Sequence, residues 1–328
     1  MRWTLLREII LAFSMISLII LSLWAVTGQL PPLVVVESDS MVHDKESGEV
    51  GSIDAGDLVL VHSPVGSDVI TYAEATEPFN KFHGYSNHGM EGDVIIYNKN
   101  GKEGTPIIHR AILEVVPAET SPPNSNGSCE GESVYDEVLE ICIHTWDVPG
   151  TNLRNVTSID WQFDGMMTGY YDCKRDSNYN HGEIGLTPFL KIESWKPQSA
   201  GYLTLGDNNK CSTDQGWSPS RGGVQGASGL YDVDGIPARP VSNSYLVGIA
   251  GAEIPWLGTV KLMLTGDASS PGTQQVPNAT WGWLALSIAT VLAIPVAIEP
   301  LLNRFIRGSP EIAELELEKK QMPVKIVS

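Results

Sequence analysis

The chain has 328 residues, enough for one or two globular domains with cores of their own. Its 39 acidic residues outweigh 21 Lys and Arg, and the net charge of −18 excludes a nucleic-acid binder working through a basic face. A hydrophobic content of 42% excludes a disordered chain.

Residues Ile9 to Val26 run without a charge, behind Arg2 and Arg7. As a helix, at 1.5 Å per residue, this stretch spans about 27 Å, close to the hydrocarbon thickness of a bilayer. Trp281 to Ile298 repeats the pattern and is followed by Arg304 and Arg307. Trp3, Trp24, Trp281 and Trp283 sit near the ends, where indole rings favour the lipid–water boundary. Ala25-Val26-Thr27-Gly28 is a poor small-x-small cleavage site after so long an apolar core, so the first segment reads as an uncleaved anchor. Pro295 inside the second segment kinks a helix but is tolerated in a membrane. The flanking arginines predict a multi-pass cell-membrane protein with residues 1–8 and the tail 299–328 cytoplasmic, and 30–278 outside. Within the tail, 309–328 reads as a solvated segment of mixed charge.

The outer segment is where the negative charge lies. Setting aside Glu8 and the five acids of the tail, and the bases beside them, leaves 33 acids against 14 bases, a net −19. The segment reads as β-rich. Leu33–Val36, Asp57–His62, Asp93–Tyr97, Ile107–Val116 and Gly201–Leu205 are strand candidates, each rich in β-branched or aromatic residues. Two Gly/Pro/Asn/Ser-rich stretches, about 63–90 and 117–195, read as insertions on this scaffold, the second as a small disulfide-stapled unit. Cys129, Cys142, Cys173 and Cys211 all fall outside, an even count that predicts two disulfides with three pairings open. The sequons at Asn126, Asn155 and Asn278 agree with that side of the membrane. No CxxC pair is present, and His43, His62, His83, His88, His144 and His181 form no HxxxH spacing, so neither a metal nor another cofactor is expected.

Three short segments carry the residue types of nucleophilic catalysis: Ser38-Asp39-Ser40-Met41 after the first strand, His109-Arg110 within an apolar strand, and Gly206-Asp207-Asn208-Asn209 with Asp214 beyond it. Each alone reads as a turn or a core histidine. Together they supply Ser, His and Asp in that order. A serine hydroxyl is a poor nucleophile until a base takes its proton, and a histidine base works best when a carboxylate fixes its tautomer.

In this order the blocks resemble type I signal peptidases of the archaeal and endoplasmic-reticulum branch. The resemblance rests on Ser-x-Ser-Met just after the anchor, the openings Gly56-Asp57-Leu-Val and Gly92-Asp93-Val-Ile, His109-Arg110, Gly206-Asp207-Asn208-Asn209, and the closing Val247-Gly248…Pro255-Trp-Leu-Gly258. It covers roughly 70 residues scattered over 30–262. It implies a mostly antiparallel β catalytic domain flanked by two transmembrane helices, and a membrane-bound serine endopeptidase removing signal peptides from preproteins at the outer face of the membrane. Its partners would be signal peptides and the lipid bilayer. Carried over, Ser40 is the nucleophile, His109 the general base, Asp214 or Asp207 the acidic partner, and Ser38 the oxyanion-stabilising hydroxyl. Four features depart from the family. Asp39 replaces a glycine, the proline two residues after Met41 is absent, the 15 positions from Met41 to Gly56 exceed the usual spacing, and the Asp207-to-Asp214 gap is one residue longer. Fourteen residues separate Val26 from Ser40, so the serine lies within about 50 Å of the bilayer. The alternative from a different class is a non-enzymatic two-pass surface protein whose ectodomain is a binding module; Asp39 and the insertions are what favour it.

Overall fold

The computed structural model describes residues 2–43, 48, 50–162, 190–209, 212–215, 220–221, 229–265 and 272–307. Cys173, Cys211, His181 and the tail segment 309–328 lie outside the described residues. The chain divides into two compact units, Met1–Asn278 and Ala279–Ser328.

The first unit opens with helix α1, Arg2–Thr27, and then turns to strands β1, Leu33–Val35, and β2, Leu58–His62. A short helix α2, Tyr72–Thr76, follows, with the small hairpin β3, Ser86–Asn87, and β4, Met90–Glu91. Next come β5, Val94–Tyr97, the long β6, Ile107–Pro117, and β7 to β10 at Thr120–Ser121, Val134–Asp136, Ile141–Ile143 and Trp146–Asp147. Strands β11 to β14 lie at Ile159–Gln162, Lys191–Trp195, Gly201–Leu205 and Ser220–Arg221; β15 is Leu246–Ile254, and α3 is Thr259–Thr265. The second unit is described through α4, Asn278–Arg307. Both α1 and α4 hold a stretch long and apolar enough to cross a membrane, Ile9–Thr27 and Asn278–Pro300, by length and composition.

The protein is largely β, and its strands pair antiparallel throughout the described sheets. The main sheet runs β1, β2, β15, β5, β6, β10, with β13 also on β6. All five strands expected from sequence are present in it. The two Gly-Asp strands, β2 and β5, are not neighbours, because β15 is hydrogen-bonded between them.

The repeated Gly-Asp has a structural cause at both sites. Gly56 and Gly92 adopt φ of +101° and +78°, and a Cβ on either would fall 2.2 Å from Thr259 Oγ1 or 2.6 Å from the Tyr72 nitrogen. The aspartates then fasten neighbouring loops. Asp57 accepts from the Asp54 and Trp256 N–H groups, while Asp93 accepts from the Ile70 N–H and the Tyr85 hydroxyl.

The 63–90 stretch, expected as a loop insertion, contains α2, started by a reciprocal Thr71–Glu74 capping box. In the 117–162 part of the second stretch, β7, β9 and β8 form a separate small sheet, and Cys129 is bonded to Cys142. The same stretch also feeds the main body. Strand β10 pairs with the end of β6, and Trp146 and Trp195 are buried with Leu113, Ile159 and Leu203.

Candidate active site

The segment after β1 is an excursion closed at its base by two backbone bonds, Val36 N–H to the Asp57 carbonyl at 3.0 Å and Gly56 N–H to the Val36 carbonyl at 2.9 Å. Met41 anchors its middle. It is 1% exposed and packs with Val36, Ile53, Val59, Val94 and Ala250, a burial worth about 1.5–3 kcal/mol. The half-buried Ser40 next to it is held by the Gly206–Asn209 turn. Asn208 donates its N–H to the Ser40 carbonyl at 2.7 Å, and its side-chain amide to the Asp39 carbonyl at 2.8 Å. Gly206 makes this approach possible: a Cβ there would lie 2.7 Å from both the Ser40 carbonyl oxygen and His109 Nε2.

His109 comes from the first half of β6, opposite Ile95 of β5. Its Nε2 is 2.9 Å from Ser40 Oγ, and its Nδ1 is 2.6 Å from Asp214 Oδ2. The imidazole is 4% exposed and Asp214 1%, so bulk water does not compete for the Nδ1 hydrogen bond. Asp214 is placed by β13, since its N–H donates to the Thr204 carbonyl at 2.9 Å. Its Oδ2 also accepts from the Tyr97 hydroxyl at 2.8 Å and the Thr204 hydroxyl at 2.7 Å. An acceptor-only carboxylate facing Nδ1 requires the hydrogen there, which leaves Nε2 as the acceptor for the serine proton. Burial first, and then the Asp214 charge, push the Tyr97 hydroxyl well above its usual range, so it stays a donor at any working pH.

Adjacent strand positions face opposite ways, and Arg110 accordingly serves a different carboxylate. Its Nε and Nη2 grip Asp207 at 2.9 and 2.7 Å, while Nη1 and Nη2 reach the carbonyls of Asn87, His88, Met90, Glu91 and Gly92. Burial raises the Asp207 carboxyl, but the Arg110 guanidinium and the His43 ring overcome it and hold it far below the usual carboxylate range. Asp207 therefore acts as a fixed anion tying the turn to β6.

Ser38 Oγ lies 3.1 Å from Ser40 Oγ. Both line a cleft of about 610 Å³ together with Leu33, Val34, Val35 and Val36, with Ile96, Ile107 and Ile108, and with Lys261. Lys261 is paired with Glu37 at 3.0 Å. Among the described residues, β1 is the terminal strand of its sheet, and all of its residues line this cleft.

Of the residues singled out from sequence, the fold brings Ser38, Ser40, His109 and Asp214 into one hydrogen-bonded chain, and sets Asp207 on Arg110 and His43 instead of on His109. Tyr97 and Thr204 on Asp214, and His43 on Asp207, were not among the residues expected at the site. Asn208 was visible as part of the Gly-Asp-Asn-Asn block, but its hold on the Ser40 loop was not. Among the described residues, no group of three or more His, Cys, Asp or Glu side chains is arranged to hold a metal ion. No protein-family model, curated protein or solved structure matches the chain.

Proposed function

We propose that this protein is a membrane-anchored serine endopeptidase of the signal-peptidase type, with Ser40 as nucleophile. The observation that carries the reading is the unbroken chain Ser40 Oγ–His109 Nε2–His109 Nδ1–Asp214 Oδ2, at 2.9 and 2.6 Å, beside an apolar cleft. In this mechanism His109 Nε2 takes the Ser40 proton as Oγ attacks the scissile carbonyl, and Asp214 stabilises the imidazolium that forms. The Ser38 hydroxyl and the Ser40 N–H would donate to the oxyanion. Collapse of the intermediate returns the proton to the leaving amine and leaves an acyl group on Ser40, which water then removes by the same route. The terminal strand β1 offers the backbone of an extended substrate a partner, while the wall of branched aliphatic side chains favours small apolar groups beside the cut. An anchor helix ending at Thr27, thirteen residues before Ser40, suits a substrate that itself enters from a membrane.

The test is incubation of the detergent-solubilised full chain with a preprotein and a mass measurement of the products. Cleavage after a small residue at the end of the signal segment is expected. An intact preprotein beside a folded protein would favour the binding-module reading.

A further inference from the structure

We propose that His43 is a positioning residue for Ser40, an inference that rests on the peptidase reading above. His43 lies three residues past Ser40, and Arg110 lies one residue past His109. Both converge on the same oxygen of Asp207, His43 Nε2 at 2.9 Å and Arg110 Nη2 at 2.7 Å. One buried carboxylate thus connects the nucleophile loop to the strand that carries the base. Asp207 only accepts, so the hydrogen of this bond is on His43 Nε2, and an ionised acceptor makes the bond charge-assisted.

The convergence extends along the loop. Asn208, the residue after Asp207, holds the carbonyls of Asp39 and Ser40, and the Asp207 N–H points at Met41 Sδ at 3.4 Å. Residues 39, 40, 41 and 43 of the loop therefore all contact residues 207–208. Asn208 restrains the chain on the near side of the nucleophile, and His43 restrains it on the far side. The His43 ring is itself confined. Its side chain is 13% exposed, and a Cβ on Gly89 would come within 3.0 Å of its Cε1. The Ser40 Oγ–His109 Nε2 distance depends on where the loop sits relative to β6, and His43 is the link on the far side of the nucleophile that refers one to the other. A displacement of about 1 Å in a reacting group costs on the order of 10²-fold in rate.

The experiment uses full-length protein in detergent with His43→Ala and His43→Gln, the glutamine placing an N–H near the position of Nε2. Cleavage kinetics, melting temperature and hydrogen exchange of the Val42 and Asn208 amides are measured on each. His43→Ala should lose about 10²-fold in kcat with KM and melting temperature little changed, and both amides should exchange faster. His43→Gln should recover most of the rate and the protection. Wild-type kcat in His43→Ala, or a loss that glutamine does not recover, would overturn the proposal. If the wild-type protein cleaves nothing, the peptidase reading fails separately, and exchange at Val42 and Asn208 still decides whether His43 holds the loop: unchanged protection in His43→Ala refutes it.

Discussion

Neutralising Asp207 and Asp214 one at a time should separate a structural carboxylate from one that orients the base. The Arg110 and Asp207 side chains are both 0% exposed. Asp207→Asn leaves the guanidinium buried among carbonyl oxygens without its anion, and removing one partner of a buried pair costs about 3–5 kcal/mol. For a domain of this size each kcal/mol moves the melting temperature by about 2–4 °C, so the expected fall is roughly 6–20 °C. Asp214→Asn has a different signature. An amide oxygen still accepts from the Tyr97 and Thr204 hydroxyls, now 2.8 and 2.7 Å from Oδ2, so the fold keeps most of its local bonds. The amide no longer demands the hydrogen on His109 Nδ1, and the wrong tautomer costs on the order of 10⁴-fold in kcat in comparable triads. Thermal melts and initial rates of preprotein cleavage on the same two preparations decide the matter. A stable but inactive Asp207→Asn beside an active Asp214→Asn would exchange the two roles.

Ser38→Ala should slow cleavage by roughly 10²–10³-fold if its hydroxyl stabilises the oxyanion, with no change in melting temperature; an unaffected rate would make Ser38 a turn residue. Gly206→Ala should abolish activity, because the added methyl collides with both the Ser40 carbonyl and His109 Nε2; an active alanine variant would mean that these groups do not meet as described. Stability should fall as pH rises through weakly acidic values. Burial raises the Asp57 carboxyl to about 6. Burial and the nearby Glu74 and Asp68 charges raise Glu114 to about 7. Both groups bind their protons more tightly in the folded state, so their contribution is complete below the unfolded value near 4 and is lost as pH passes the folded one. Glu114→Gln should therefore make the fall in melting temperature shallower between about pH 4.5 and 7, and a curve parallel to wild type would contradict the assignment. Trp placed at the residue before the cut, or two residues further back, should block processing by filling the cleft; tolerance at both positions would reject the substrate class.

Much of this arrangement was legible because its signals are local. Strands β1, β2, β5, β6 and β13 announce themselves by runs of branched residues, and the charge-free helices by length alone. Strand β15 was hidden. Gly248 and Gly251 dilute its β character, and both are needed where it packs on β2, since a Cβ would fall 2.4 Å from Val61 Cγ1 or 2.3 Å from the His62 ring. Helix α2 was hidden by its five-residue length. Within the site, the residue types and their order pointed to Ser40, His109 and an aspartate. Choosing between Asp207 and Asp214 required the register of β6 against β13, which fixes who faces whom. The hydroxyls of Tyr97 and Thr204 carry no sequence signal, because a strand tyrosine and threonine are ordinary core residues. His43 was visible as a histidine without metal spacing, standing where the resemblance expects proline; its hydrogen bond with Asp207, 164 positions away, is a product of the fold.

Whether the Ser40 hydroxyl attacks a peptide bond is decided by comparing two proteins. Wild-type protein and Ser40→Ala, prepared in the same detergent, are incubated with the same preprotein, and the product masses are recorded alongside the melting temperature of each. The mechanism requires a single mature fragment from wild type, none from Ser40→Ala, and matching melting curves. The same fragment released at the same rate by both proteins would contradict it.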